Sequence, residues 1–336
     1  MKKNLDEVSF MRPILIVLVV LYHAMAIHTG NWDLPEGTPQ IGAYAAVGRI
    51  AYMFMLEAFV FMSGYVWAFQ REQRGAEPFG VLVKKKSYRL LVPCYLFGIL
   101  YALLFERATP LMENVVRVFT GIGHLWFLVM LFVCFVALWA LLKWIPKTRW
   151  WGIFLLFAML ALFSSYPQSF RLSNIMYYPL YFFFGYVMYS NREHMMSRTN
   201  VGKVLSAWIV FLVLYAGLSY VRGRFMEQAD EGDLLEMLKK GCRLCYTIAG
   251  VMAFYITSVW VVSKIKLPKW YIDVGAMCFG VYIFQQFILQ FLYYHTSLPV
   301  LSNPYLLPWE AFTVSLAGSL LLTWLIRKTN LGRKIL

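Results

Sequence analysis

The sequence predicts an all-α polytopic membrane protein, with about ten transmembrane helices in a single domain spanning residues 1–336. Of its residues, 60% are hydrophobic and only 14% are charged, whereas soluble globular chains hold about 45–50% apolar and about 25% charged residues. One soluble core could not hide so much apolar surface, so lipid must cover part of it. Ten apolar runs also reach, or nearly reach, the length of about 20 residues that a helix needs to cross a bilayer.

The predicted spans follow one another with mostly short polar connections. They cover residues 10–29, 46–69, 88–106, 122–143, 150–167, 172–190, 203–221, 243–263, 271–294 and 309–327. The fifth and sixth spans are parted only by the stretch SYPQSFRLS, which predicts either a tight hairpin or a broken helix. Of the longer connections, residues 30–45 are rich in turn residues, and residues 222–242 predict a short amphipathic surface helix.

The distribution of basic residues predicts the topology. The formal net charge is +14, but the lysines and arginines lie between apolar runs instead of clustering on a polar domain, which argues against a nucleic-acid partner. With a cytoplasmic N-terminus, 20 of the basic residues fall in inner segments and 8 in outer segments. Because cytoplasmic loops carry the excess of lysine and arginine, both termini are expected in the cytoplasm, with the protein in the cell's inner (cytoplasmic) membrane.

Cysteine usage indicates no metal site. The chain has five cysteines, and three of them lie inside apolar runs, where a thiol behaves as a small hydrophobic group. The remaining pair forms a single C-x-x-C motif, CRLC at residues 242–245, with no second pair nearby. This pair predicts a redox pair or the start of a helix, and no bound metal is expected. We also expect no permanently bound cofactor.

Among the ionisable residues in predicted spans, where a charge is costly and usually functional, three stand out, and His28, His124 and Arg89 lie near span ends. Arg12 and His23 are 11 positions apart, so they share one face of the first helix and are separated by about 16 Å of helix rise. Glu57 lies in the second span at a depth similar to that of His23. One prediction is therefore that the Glu57 carboxylate orients the His23 imidazole. The alternative is an ion pair between Glu57 and an arginine such as Arg49.

Two further stretches combine polar and apolar residues at predicted membrane edges. The basic cluster KKKSYRLLVP (84–93) contains Lys86 and Arg89, and it suits either anionic lipid or the phosphates of a ligand. The stretch GHLWFL (123–128) contains His124 and Trp126, which are typical of either interfacial anchors or a binding site.

The first span resembles a known family. Arg12 and His23, separated by ten residues in helix one, match the hallmark of the acyltransferase 3 family of integral membrane O-acyltransferases. Family members often carry a histidine where this chain has Gln285. Further blocks resemble the family in the same order, namely FVFMSGYVWAF (59–69), KKKSYRLLVPCY (84–95), HLWFL (124–128) and YFFFGYVMY (181–189).

The resemblance implies acyl transfer across the membrane. The donor would be an acyl-CoA co-substrate, usually acetyl-CoA, and the acceptor a hydroxyl of a sugar or lipid-linked glycan at the outer side. His23 would act as the general base or be acylated itself, and Glu57 would orient it. The substrate-binding residues expected from the resemblance are Arg12, Lys86, Arg89, His124 and Trp126.

A membrane transporter is the alternative function. Arg12, His23 and Glu57 could relay protons or ions across the membrane, since intramembrane charges often mark such pathways. Transporters often contain internal repeats with broken helices at corresponding positions, and this sequence shows neither clearly.

Overall fold

The computed structural model describes residues 5–107, 109–165, 171–226 and 232–336, and it is 84% helical, with no strand in these ranges. The all-α class is confirmed. The first nine helices are α1 (Asp6–Ala24), α2 (Ala26–Thr29), α3 (Gly42–Ala51), α4 (Met55–Arg74), α5 (Phe79–Lys86), α6 (Val92–Phe105), α7 (Leu111–Thr120), α8 (Trp126–Trp144) and α9 (Trp150–Leu162). The others are α10 (Leu172–Tyr177), α11 (Pro179–Ser190), α12 (Arg192–Arg198), α13 (Val201–Val221), α14 (Asp233–Lys264), α15 (Lys269–Tyr294), α16 (Leu298–Leu301), α17 (Leu307–Arg327) and α18 (Asn330–Ile335).

Nine helical segments of the described chain are long and apolar enough to cross a membrane, which makes this a polytopic membrane protein. The sixth predicted span, residues 172–190, is divided into α10 and α11 and is too short in either piece to count among them. The division coincides with Pro179, the first residue of α11, which has no N–H to continue the hydrogen bonds of α10. The preceding connection includes residues 166–170, which lie outside the described ranges.

Two connections differ from the sequence prediction. The predicted surface helix within residues 222–242 is wrong as a separate element, because Asp233–Lys264 is one continuous helix of 32 residues. No proline interrupts this segment, so the polar first turns extend directly into the apolar span. Between the third and fourth spans, α7 forms an amphipathic helix that was not predicted, with Leu111 and Met112 strongly exposed.

The first helix lies at the centre of the bundle. It packs against α3, α4, α14, α15 and α17, and its core residues include Leu15, Val19 and Val20. Because α1 is apolar on most of its circumference, it can be surrounded by other helices instead of water. This position carries Arg12 and His23 into the protein interior.

Close backbone contact joins α4 to α11. A Cβ atom added to Gly64 would lie 1.9 Å from the carbonyl oxygen of Phe182, and one added to Gly185 would lie 1.9 Å from that of Phe61. Only glycine allows two helices to approach this closely, as is common for small residues in membrane interfaces. The Ser63-Gly64 pair therefore sits where α4 meets its neighbours.

Candidate active site

Three cavities lie along the face of α1 that carries Arg12 and His23. The basic mouth, of about 170 Å³, is lined by Arg12, Ser63, Lys86 and Arg89 among others. The middle cavity, of about 250 Å³, is again lined by Arg12, Ser63 and Arg89. The histidine chamber, of about 320 Å³, is lined by residues that include Tyr22, His23, Trp32, Tyr52, His124, Trp126, Arg171, Tyr282 and Gln286.

Shared walls connect the three cavities in series. Arg12, Ser63 and Arg89 line both the basic mouth and the middle cavity. Val19 and Phe127, among others, line both the middle cavity and the histidine chamber. Arg12 lines the mouth and His23 lines the chamber, and the rise along α1 separates these two residues by about 16 Å. The series therefore leads from a cationic site to the imidazoles of His23 and His124.

The basic mouth gathers three cations from two helical segments. Arg12 comes from α1, Lys86 ends α5, and Arg89 lies in a π-helical turn that joins α5 to α6. Such turns frequently occur at functional sites, because the extra residue redirects the side chains around it. The Lys86 ammonium lies 3.6 Å from the centre of the Phe135 ring, and no acidic side chain lines the described cavity. The mouth is therefore suited to an anion such as a phosphate group.

One hydrogen bond determines the tautomer of His23. Its Nδ1 lies 2.9 Å from the carbonyl oxygen of Val19, one turn earlier on α1. A carbonyl can only accept, so Nδ1 carries the hydrogen and Nε2 keeps its lone pair. The Trp32 ring stacks on the imidazole with centroids 6.0 Å apart. His23 is thus oriented as a proton acceptor at the wall of the chamber.

His124 is a second neutral imidazole beside it. The two rings are 6.4 Å apart between centroids. The Nε2 of His124 lies 3.0 Å from the carbonyl oxygen of Ile283 and so donates to it, while its buried Nδ1 has no partner among the described residues. His124 therefore also offers an acceptor nitrogen.

A glycine turn positions His124 and Trp126. Gly121 and Gly123 have φ values of +90° and +55°, which other residues rarely adopt. A Cβ atom on Gly121 would lie 2.2 Å from the Cα of Trp126. The backbone N–H of His124 donates to Oε1 of Gln286 at 2.9 Å, so α15 holds the turn in place.

The expected pair of Glu57 and His23 is wrong. Glu57 is fully buried, and its Oε1 accepts a hydrogen bond from Nη2 of Arg243 at 3.0 Å. The interpretation as an ion pair with an arginine is correct, although the partner is Arg243 on α14 and not Arg49. Glu57 lines none of the three cavities, so no contact allows it to orient His23.

The chamber contains polar residues that the sequence did not single out. Gln286 and Arg171 both line it, whereas the side chain of Gln285 is fully buried away from the three cavities. Both amide atoms of Gln285 lack a partner among the described residues. Polar residues in an apolar span indicate a site, and this signal applied to both Gln285 and Gln286. Helical periodicity alone does not show which of these two adjacent glutamines faces the cavity.

Comparison with known proteins identifies the family. The family model described as an acyltransferase domain, that of the acyltransferase 3 family, matches residues 5–328. The chain belongs to the acyltransferase 3 family. This membership makes the protein a multi-pass membrane acyltransferase, and the resemblance seen in the sequence is confirmed. No curated protein and no solved structure gives a significant match to the chain.

Proposed function

We propose that this acyltransferase moves an acyl group, acetyl in the simplest case, from acyl-CoA on the cytoplasmic side to a sugar or glycan hydroxyl at the outer side. The observation that carries the proposal is the series of cavities between the basic mouth and the histidine chamber. An acyl-CoA has the same order of parts, with an anionic nucleotide at one end and a reactive thioester at the end of a long thin arm.

The donor would bind with its phosphates at the basic mouth. Arg12 and Arg89 line both the mouth and the middle cavity, so their guanidinium groups can hold phosphate oxygens where the arm enters. Lys86 adds a third positive charge at the mouth. The middle cavity, which is lined largely by apolar side chains, would hold the arm.

The histidine chamber would contain the reacting groups. Nε2 of His23 would take the proton of the acceptor hydroxyl as that oxygen attacks the thioester carbonyl carbon. The carbon–sulfur bond then breaks, the ester forms, and the proton passes to the departing thiolate. No net proton is released, so this chemistry needs no relay to the surface.

The walls of the chamber suit a carbohydrate acceptor. Tyr22, Trp32 and Trp126 line the same space as the two imidazoles, and each combines an aromatic ring with a polar group. Flat apolar faces can pack against the C–H surfaces of a sugar ring, while the polar edges can hydrogen-bond its hydroxyls. Trp126 and His124 would therefore act on the acceptor side of the reaction.

The first test compares the protein with a His23→Gln variant in lipid. Both should bind acetyl-CoA in calorimetry, but only the unaltered protein should consume the thioester when a glycan mixture is present. Removing a general base typically slows a reaction by about 10²–10⁴-fold. His194→Gln is the matched control, because His194 is exposed on α12 and lines none of the three cavities.

Two results would contradict the proposal. If the unaltered protein binds no acyl-CoA, the basic mouth does not serve a donor, and a transport relay through the buried charges becomes the better reading. If His23→Gln consumes acetyl-CoA at the normal rate, His23 is not the base.

A second variant tests the donor site. Arg12→Gln should weaken the binding of acetyl-CoA, whereas Arg107→Gln should bind it normally, because Arg107 lines none of the three cavities.

A further inference from the structure

Arg171 is the one formally charged residue that lines the described histidine chamber. No aspartate or glutamate shares that lining, so a bound anion would meet no acidic side chain there. Arg171 is exposed and directly precedes α10, so its guanidinium lies where the chamber meets the protein surface.

The guanidinium of Arg171 has no hydrogen bond or ion pair with any residue that the structure describes. The charged residue that acts on it is Arg117, which itself forms two hydrogen bonds to Glu106 at 3.0 and 2.8 Å. Partial burial and then the positive charge of Arg117 lower the pKa of Arg171. Arg117 is paired with Glu106, whereas Arg171 has no counterion among the residues that the structure describes.

The backbone at Arg171 supports a specific role for this residue. Its φ of +59° is the only positive value among non-glycine residues in the described chain. A left-handed conformation is unfavourable for arginine, and such residues persist where the surrounding structure requires them, often at binding sites. A glycine would adopt this conformation without strain, but it would supply no cation to the chamber.

We propose that the acyl acceptor is anionic, and that Arg171 binds its carboxylate or phosphate while the reacting hydroxyl faces His23. This inference rests on the proposed acyl transfer and adds the chemical class of the acceptor. A guanidinium can donate two parallel hydrogen bonds to either anion, which fixes orientation as well as affinity. The aromatic side chains of Trp32 and Trp126 would pack against the remainder of the sugar.

The geometry separates this anion site from the donor site. Arg12, Lys86 and Arg89 line the basic mouth, whereas Arg171 lines only the histidine chamber at the other end of the series. Two cationic sites at opposite ends would keep a phosphate-bearing donor and an anionic acceptor apart. They would also orient the thioester and the hydroxyl toward each other near His23.

The test uses the full-length protein in lipid with acetyl-CoA and three acceptors, namely a methyl glucuronoside, a glucose phosphate and a neutral methyl glucoside. The unaltered protein should acetylate at least one anionic sugar with a higher kcat/KM than the neutral one. Arg171→Gln should reduce kcat/KM for the anionic sugar by about 10- to 100-fold, the usual effect of losing a charged hydrogen-bonding partner. Activity toward the neutral sugar and the affinity for acetyl-CoA should not change.

Matched variants separate the charge from the fold. Arg171→Lys keeps the charge in the same backbone conformation but loses the paired donors, so its loss should be smaller than that of Arg171→Gln. Arg107→Gln removes an arginine that lies in another cavity and should preserve the preference for an anionic acceptor. The two anionic acceptors distinguish a carboxylate from a phosphate as the preferred group.

Several results would overturn the inference. Equal losses on charged and neutral sugars would mean that Arg171 only supports the fold, and transfer to the neutral sugar alone would mean that no anion is required. The same variants are also assayed with succinyl-CoA as the donor, and a loss confined to that donor would assign Arg171 to the acyl group instead of the acceptor. Absence of acetyl-CoA binding in the unaltered protein would refute the proposed function itself, and this inference with it.

Discussion

Single hydrogen bonds determine what the buried ionisable residues can do. His23 lines the chamber and donates from Nδ1 to its own helix, which leaves Nε2 as an acceptor. Glu57 on α4 is instead bound to Arg243, whose guanidinium also lies 5.1 Å from the centre of the Tyr177 ring. His23 therefore needs no carboxylate to set its tautomer, and Glu57 is assigned to helix packing.

This assignment predicts the effect of Glu57→Gln. Removing the carboxylate leaves the largely buried Arg243 without its counter-charge, and breaking one partner of a buried pair typically costs about 3–5 kcal/mol of stability. The melting temperature of the purified variant should fall, while acetyl-CoA consumption per folded molecule stays near normal. The double variant Glu57→Gln/Arg243→Gln should recover part of the loss. A catalytic Glu57 would produce the opposite pattern, with lost activity and an unchanged melting temperature.

A second buried carboxylate fastens the start of α1. Glu7 is fully buried, its Oε1 accepts from Nε of Arg192 at 2.6 Å, and it also accepts from the Tyr65 hydroxyl at 2.7 Å. These bonds raise the pKa of the Arg192 guanidinium, which stays charged. The beginning of α1 is thus joined to α12 and α4, which holds Arg12 steady at the basic mouth.

Among the described helices, α4 and α11 approach each other most closely at their glycines, as judged by the space left for an added Cβ atom. Gly64 and Gly185 each face a carbonyl oxygen of the opposite helix, so the two backbones approach in a reciprocal way. Ser63, the neighbour of Gly64, lines the basic mouth and the middle cavity. The close approach therefore supports the wall of the donor path.

Gly64→Ala should consequently destabilise the protein. Its methyl group would overlap the backbone of Phe182, and forcing extra volume into a packed interface typically costs about 1–3 kcal/mol. Gly217→Ala is the control, because Gly217 lies inside α13 with nothing within 4 Å of an added Cβ atom. The control should melt at or slightly above the normal temperature, since alanine favours a helix. Equal melting temperatures for both variants would refute the close contact.

Across the whole molecule, the distribution of basic residues and the order of the cavities indicate the same orientation. Residues 70–87, next to the basic mouth, are rich in lysine and arginine and are predicted to be cytoplasmic. The histidine chamber is lined in part by segments predicted to be outside. A donor from the cytoplasm and an acceptor from the outer side would then approach from opposite ends of one path.

The topology can be measured by cysteine labelling. In a protein with Cys242 and Cys245 replaced by serine, Glu36→Cys should react with a membrane-impermeant maleimide in intact cells. Gln73→Cys should react only after the membrane is permeabilised, because residues 70–87 are predicted to be cytoplasmic. Both positions are exposed, so access should depend on sidedness alone. Labelling of Gln73→Cys in intact cells would reverse the predicted orientation.

Much of the fold could be predicted because its causes are local. Hydrophobic runs of about 20 residues are set by the thickness of the bilayer, and the nine long apolar helices fall within or overlap predicted spans. The break at Pro179 was missed although proline is a local signal for it. The helix α7 was missed because a short amphipathic helix has no hydrophobic run of bilayer length. The alignment of Arg12 with His23 was predictable too, because helical periodicity places both on one face.

Composition and periodicity were therefore enough to predict the class of protein, most of its long helices and the shared face of Arg12 and His23. Packing between distant segments determines which groups meet. Glu57 pairs with Arg243, 186 residues away, and the backbone N–H of His124 donates to Gln286, 162 residues away. The same packing brings Arg171 to the histidine chamber. The physical reason is that periodicity describes one helix at a time, whereas these contacts depend on how distant helices pack around α1.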